Sequence, residues 1–390
     1  MRREIKFCEL MNILSASTPG SRDTVPVMST TGSPPPLGAM TDLLSWRPTR
    51  FAPLAWREAF DARLERRASA MFAKFGPDDC LAEAMGLLPE TSRRRFLRAP
   101  AVATILRREV DDQFDGRRFA ELLLAEMAAA GVVAEVPESV WTPRGDRFLN
   151  RSAPECWRLP GAVLSYTGIN LDEESLFQFP DDKFGIAATV PHVTQEREIV
   201  TIRVLTAIDE MRQSCVLALD LVTTIIEVLA LRRQPTNATA FHSSTFCSHP
   251  GLVRFTNTHL PDADIAAIME ALVHEAIHCI LHVHEEIEGA FLLTAEANQR
   301  TVVSPWTGVT ICLQSYIHAC VVWYGIYWLW SREGFGAGIP RWRIEMLRTR
   351  AQRGFKQRPV RAGLMPFSKF LTESIKDLLQ ELEGRMLSLT

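Results

Sequence analysis

From Asp262 to His284 the chain reads DADIAAIMEALVHEAIHCILHVH, and both the fold and the chemistry turn on this stretch. Ile265, Ile268, Met269, Leu272, Val273, Ile277, Ile280 and Leu281 recur at three- and four-residue spacing, which predicts a helix with one apolar face. Asp262 or Asp264 supplies its N-cap. Within it lies His274-Glu275-Ala276-Ile277-His278, an H-E-x-x-H motif. Histidines four apart on a helix stand one above the other about a turn apart, so both imidazoles reach one metal ion with Glu275 beside it. The chain has only 9 histidines in 390 residues. A chance match is expected in roughly one such chain in a hundred, and most would fall outside a helix.

Working outward, the composition is that of a globular protein. With 47% apolar and 23% charged residues, the length is enough for a substantial core in two or three structural units. A net charge of −3 gives no electrostatic reason for a nucleic-acid or anionic-membrane partner. The arginine clusters Arg66-Arg67 and Arg93-Arg94-Arg95 are interleaved with acids and read as solvated helix faces. The 8 cysteines lack any C-x-x-C pair and read as a reduced, cytoplasmic complement. The apolar stretch of the opening MRREIKFCELMNILSAS is broken by Glu9 and Asn12 and is not expected to act as an export signal. The most apolar run, Ser315 to Trp330, falls short of the roughly 20 residues that span a bilayer and reads as a buried helix.

Three regions follow. Residues 1–40 are rich in Ser, Thr, Pro and Gly and are expected to be disordered. Residues 41–131 form a helical N-terminal region, with helices through AWREAFDARLERRASAMFAKF, LAEAMGLL, SRRRFLRAPAVATILRRE and GRRFAELLLAEMAAAG. Residues 132–390 form the catalytic, metal-binding region. Between Val132 and Val204 the β-rich runs GIAATVPHV and REIVTIRVL suggest strands, and Leu205 to Arg233 returns to a long helical pattern. Leu252 to Asn257 (LVRFTN), bounded by Pro250-Gly251, predicts a strand just before the metal helix. Val309 to Trp330 predicts an apolar, aromatic helix, and Lys369 to Leu387 a closing one. The fold class is mainly α, or α+β with a few short central strands. The metal site is expected between the H-E-x-x-H helix and the aromatic helix.

A metal needs a third protein ligand beside His274 and His278. His318 lies in an otherwise apolar helix, where an unpaired imidazole is costly. Glu296 stands 18 residues after His278, a spacing suited to the glutamate of a zinc hydrolase or a two-histidine-one-carboxylate iron site. His282 is about 12 Å along the helix from His274, too far to share one ion with it, so it and His284 read as supporting or surface groups. Gln314, one turn before His318, is a candidate for binding cofactor or substrate. Glu275 is the general base in a zinc hydrolase and is dispensable as a base in an iron oxygenase.

Ala271-Leu272-Val273-His274-Glu275-Ala276-Ile277-His278, Ser304-Pro305-Trp306-Thr307-Gly308 and Leu313-Gln314-Ser315-Tyr316-Ile317-His318-Ala319-Cys320-Val321-Val322-Trp323 together resemble the HExxH-motif peptide-modification proteins. These are bacterial proteins often tied to ribosomally synthesised, modified peptides. The likeness covers about residues 252–330. It implies an iron(II)- and 2-oxoglutarate-dependent β-hydroxylase in which His274 and His278 hold iron. The substrate would be a peptide or amino acid, including a leader-bearing precursor peptide or a carrier-bound amino acid. The remote carboxylate of 2-oxoglutarate then needs a cation, and Arg254 and Arg300 are the candidates by position. The alternatives are a cytoplasmic zinc metallopeptidase with Glu275 as base and Glu296 as third ligand, and a non-catalytic peptide binder.

Overall fold

The computed structural model describes residues 35–49, 52–75, 80–108, 116–133, 139–149, 168–173, 189–235, 239–357 and 360–388. Residues 1–34 of the expected disordered extension lie outside these. Residues 35–40, assigned to the same extension, are instead packed, with Leu37, Ala39 and Met40 buried. The first helix, α1, runs Ala39–Leu43.

The helical N-terminal region takes the expected form: α2 (Pro53–Phe75), α3 (Cys80–Leu87), α4 (Glu90–Arg98), α5 (Pro100–Arg108) and α6 (Gly116–Ala129). The run from Ser92 to Glu109, expected as one helix, is two, because Pro100 starts α5 at the one place where a missing N–H is harmless. A small hairpin follows, β1 (Val140–Trp141) with β2 (Phe148–Leu149).

Next come β3 (Asn170–Asp172), α7 (Thr194–Ser214), α8 (Val216–Ile225), β4 (Val228–Arg232), β5 (His242–Thr245) and β6 (Leu252–Thr256). Two expectations are corrected here. REIVTIRVL is helix, within α7, and its β-branched residues misled because Ile199 and Ile202 are exposed while Val200, Val204, Ala207, Ile208 and Met211 form a buried face at helical period. The long helix expected over 205–233 breaks at Cys215 and ends at Ile225, and Val228–Arg232 is a strand. All five residues of β4 are buried. Without alternation, a strand buried on both faces looks like a helix segment in sequence. The first four residues of GIAATVPHV lie outside the described residues; residues 189–193 form no strand, and Val190 makes only an isolated bridge with Arg233.

The sheet order is β3-β4-β6-β5, with β3, β4 and β6 parallel and β5 antiparallel at the edge. LVRFTN is thus a central strand. Its Val253 and Phe255, with Leu229 and Leu231 of β4, join the main core, whereas Leu252, Val228 and Ala230 face the other way in a small cluster with Phe246.

The decisive helix, α9 (Ile265–Glu288), is capped by Asp264, whose side chain accepts from Ala267 N at 2.7 Å. It packs against α2, α7, α8 and β5. Among the described residues it is the one helix long and apolar enough to cross a membrane, yet 72% of the qualifying window is buried inside the protein. A short 3-10 helix (Ala295–Gln299) and the hairpin β7 (Thr301–Val303)–β8 (Thr310–Cys312) lead into the aromatic helix α10 (Leu313–Ser331). The chain closes with α11 (Arg341–Gln357), α12 (Val360–Leu364), a 3-10 turn (Met365–Phe370) and α13 (Glu373–Leu387). One continuous apolar cluster runs from Leu37 to Met386.

Two glycines set the spacing around α10. A Cβ on Gly325 would lie 2.7 Å from Ile277 Cδ1, so its absence lets α9 and α10 approach closely. A Cβ on Gly354 of α11 would fall 2.2 Å from the Trp306 indole. Trp306, at the tip of the β7–β8 hairpin, donates to Ala351 O at 2.9 Å and stacks on Trp323 at 6.1 Å. Gly354→Ala is therefore expected to cost about 1–3 kcal/mol, read as a lower melting temperature with altered tryptophan fluorescence. An unchanged melt would show that the hairpin reseats freely.

Candidate metal centre

The site is built on facing stripes of two helices. On α9, His278, His282 and Glu285 follow at i, i+4 and i+7 and share one face, with His274 one turn before. On α10, Gln314 and His318 are four apart and meet that face. His278 Nδ1 lies 3.3 Å from His318 Nδ1. His318 Nε2 lies 3.2 Å, and His282 Nδ1 3.5 Å, from Glu285 Oε2. Gln314 Nε2 donates to both Glu285 oxygens at 3.0 Å. The donor atoms of His282, Glu285 and His318 all lie within 4.8 Å of one another. The ring of His274 is 5.0 Å from that of His278 and edge-on to Trp323 at 5.8 Å.

The expected ligands fare unevenly. His278 and His318 are brought together, with His274 adjoining. Glu296 is not brought in: it sits exposed in the 3-10 helix, and the carboxylate that meets the histidines is Glu285. His282 does not share donors with His274, as its rise along the helix requires, but it belongs to the cluster through His318 rather than standing at the surface. Glu285 was legible as the i+7 member of a His278-His282-Glu285 stripe, a signal hidden by attention to the pentapeptide alone. His284 lies on another face, buried and stacked on Phe291 at 5.9 Å.

Glu275 turns the other way. It accepts from Ser243 Oγ of β5 at 2.6 Å, and next along the same interface Thr245 Oγ1 lies 3.1 Å from Cys279 Sγ. Burial pushes its carboxyl up to about 7, opposed by the Ser243 hydrogen bond. The face of β5 and β6 that meets α9 carries Ser243, Thr245, Val253 and Phe255, paired in register. Arg254 is therefore on the opposite face, where its guanidinium lies over Phe246 at 5.0 Å, because side chains alternate along a strand. Arg300 is exposed and lies over Phe370 at 5.8 Å. Neither expected cation reaches the histidines. The arginine whose charge acts on His274 is Arg350 of α11, ion-paired with Glu270 and 5.4 Å over the Trp323 ring. Gln314 is in the site, as a donor to Glu285.

The donors fit a divalent metal. Two nitrogens bound to one tetrahedral ion with bonds near 2.1 Å lie about 3.4 Å apart, close to the 3.3 Å between the His278 and His318 nitrogens. Burial holds His274 and His282 down to about 4, the Arg350 charge adding to burial for His274. Burial and the charges of His274, His318 and His282 put His278 well below its ordinary value. These imidazoles are neutral near pH 7, the form that ligates metal. Burial alone would raise Glu285, but the hydrogen bonds from His282 and His318 hold it well below the usual carboxylate range.

These shifts predict how the metal-free protein responds to acid. With folded-state values below 6.5, the histidines leave the unfolded chain to bind protons first, so their contribution is complete above about pH 6.5 and is lost as pH falls toward 4. His274 and His282 each carry on the order of a few kcal/mol. Glu275 has the opposite sign, its contribution fading as pH rises from 4.5 through 7. A melting series from pH 8 to 4.5 should fall steeply below about pH 6; a flat profile would contradict the burial of these rings.

No protein-family model and no curated protein matches the chain.

Proposed function

We propose that this protein is an iron(II)- and 2-oxoglutarate-dependent oxygenase of the cytoplasm that hydroxylates a peptide residue or an amino acid at its β-carbon. The substrate fits a leader-bearing precursor peptide or a carrier-bound amino acid. The observation that supports this over hydrolysis is the orientation of Glu275. A zinc-peptidase base must touch a metal-bound water on the histidine side, whereas Glu275 is bonded to Ser243 across the β5 interface.

His274, His278 and His318 would hold the metal. When bound, iron with a chelating 2-oxo acid supplies the oxidising power for C–H hydroxylation. The chain's own part is positional. Glu285, braced by Gln314, fixes the His318 ring by accepting from Nε2, which leaves Nδ1 facing His278. Trp323 walls the side next to His274. Arg350, half-exposed above that indole, offers a guanidinium for a remote carboxylate.

The test is anaerobic reconstitution with iron(II), then 2-oxoglutarate, following the weak visible charge-transfer band of a chelated keto acid. A band that disappears on admitting oxygen, with succinate formed, supports the reading. No band, with tight zinc binding and cleavage of a peptide library, overturns it in favour of a metallopeptidase. No turnover with any metal overturns it in favour of a peptide-binding role.

A further inference from the structure

His318 presents both ring nitrogens to donors: Nδ1 faces His278 at 3.3 Å, and Nε2 faces Glu285 at 3.2 Å with His282 close by. We infer that His282, Glu285 and His318 Nε2 form a divalent-cation site of their own, one helical turn beyond the His274–His278 pair, the ion replacing the proton that His318 Nε2 otherwise donates to Glu285, with the ring's proton then held on Nδ1 when the motif pair is empty. This goes beyond the single iron of the proposed activity.

Three independent features carry the inference. The first is geometry: the donor atoms of all three side chains lie within 4.8 Å of one another, and two of the pairs are separated by 3.2 and 3.5 Å. One ion with bonds near 2.0–2.2 Å spans such separations. The second is charge. Glu285 is largely buried, and its ion-pairing partners are the two histidines; no lysine or arginine pairs with it among the described residues. The guanidinium of Arg107, whose charge acts on His282, is committed to Glu286. A buried carboxylate without a cation is costly, and a divalent ion supplies the missing charge. The third is bracing. Gln314 donates one amide nitrogen to both carboxylate oxygens at 3.0 Å, and Phe291 N approaches Oε1 at 3.4 Å. A carboxylate held by neutral donors, with Oε2 also within 3.5 Å of two imidazole nitrogens, is arranged as a ligand.

Two histidines and one carboxylate form an N,N,O set that leaves positions for water, and it suits zinc, cobalt(II), manganese(II) or iron(II) better than calcium or magnesium. The site is distinct from the motif pair because His274 lies too far along α9 to reach an ion held at His282.

The test is metal titration of the metal-free full chain with cobalt(II), read by calorimetry and by the d–d absorption, in three variants: His274→Gln with His278→Gln, His282→Gln, and Glu285→Gln. A melting curve of each metal-free variant checks folding. The inference predicts that one equivalent still binds to the double variant, and that His282→Gln and Glu285→Gln each weaken this remaining binding at least about 10-fold when placed in that background. It is overturned if the double variant binds no cobalt while staying folded, or if it binds cobalt with an affinity that neither His282→Gln nor Glu285→Gln changes. Neither readout depends on oxygenase turnover, so failure here and failure of the proposed activity are separable.

Discussion

His318→Ala should abolish tight divalent-metal binding, lowering affinity at least about 100-fold, whereas Glu296→Ala should leave it within a factor of about two. Changes in groups that merely support a ligand already cost about 10–100-fold, and His318 is proposed here as a ligand itself. Its two nitrogens lie 3.3 Å from His278 and 3.2 Å from Glu285, so its loss damages both donor sets at once. Glu296 is exposed on its 3-10 helix and outside the cluster. Competition with a chromophoric chelator for zinc measures both affinities. Retention of metal by His318→Ala together with loss in Glu296→Ala would restore the two-histidine-one-carboxylate site and rule out His318 as a ligand. Because removing His318 strips Glu285 of a donor, the metal-free variant should also melt lower, and this must be measured alongside.

A second large effect is expected far from the histidines. Glu227, just before β4, is ion-paired with Arg57 of α2 and lies 3.3 Å from Arg144 of the β1–β2 turn. Burial pushes its carboxyl up, but Arg57, Arg144 and Arg98 outweigh that and hold it below the ordinary range. Arg57 is itself buried and also lies 3.3 Å from Asp61. Glu227→Gln removes the charge while keeping the shape, leaving two guanidiniums short of a counter-charge. Breaking such a buried pair costs about 3–5 kcal/mol, visible as a large drop in the denaturant midpoint. The double replacement Arg57→Met, Glu227→Leu should recover part of this, since removing both charges spares the unpaired one. A Glu227→Gln protein as stable as the parent would mean that water screens the network.

The features legible in sequence were those with strong local periodicity. The N-terminal helices, α9 with its Asp264 cap, the LVRFTN strand and the aromatic α10 all read directly. What failed was legible only in three dimensions. The β4 strand carries no alternation because both faces are covered, and α7 shows β-branched residues to solvent, so pattern alone misassigned each. At the site, the pairing of His278 with His318 follows from placing a lone histidine in an apolar helix. Glu285 required knowing that the stripe on α9 continues to i+7 against α10. Arg254 was excluded by parity: one position along β6 decides which face a side chain takes, and that depends on which strand residues meet α9.

Trp46 gives the first described segment, residues 35–49, a structural role out of proportion to its place. It is fully buried with φ of 53°, a left-handed conformation that disfavours so bulky a residue. It is held there by its indole, which donates to Gly325 O at 2.8 Å, and by Arg332, which donates to its carbonyl. Leu44 lies beside Gly325, while Thr41 and Asp42 tie α1 to Glu381 and Arg385 of α13. The segment 35–46 thus works as a clasp, fastening the histidine-bearing α10 to the closing helix. A chain started at Pro53 would keep every candidate ligand and lose the fastening, so the placement of His318 against α9 is inherited from residues almost three hundred positions earlier.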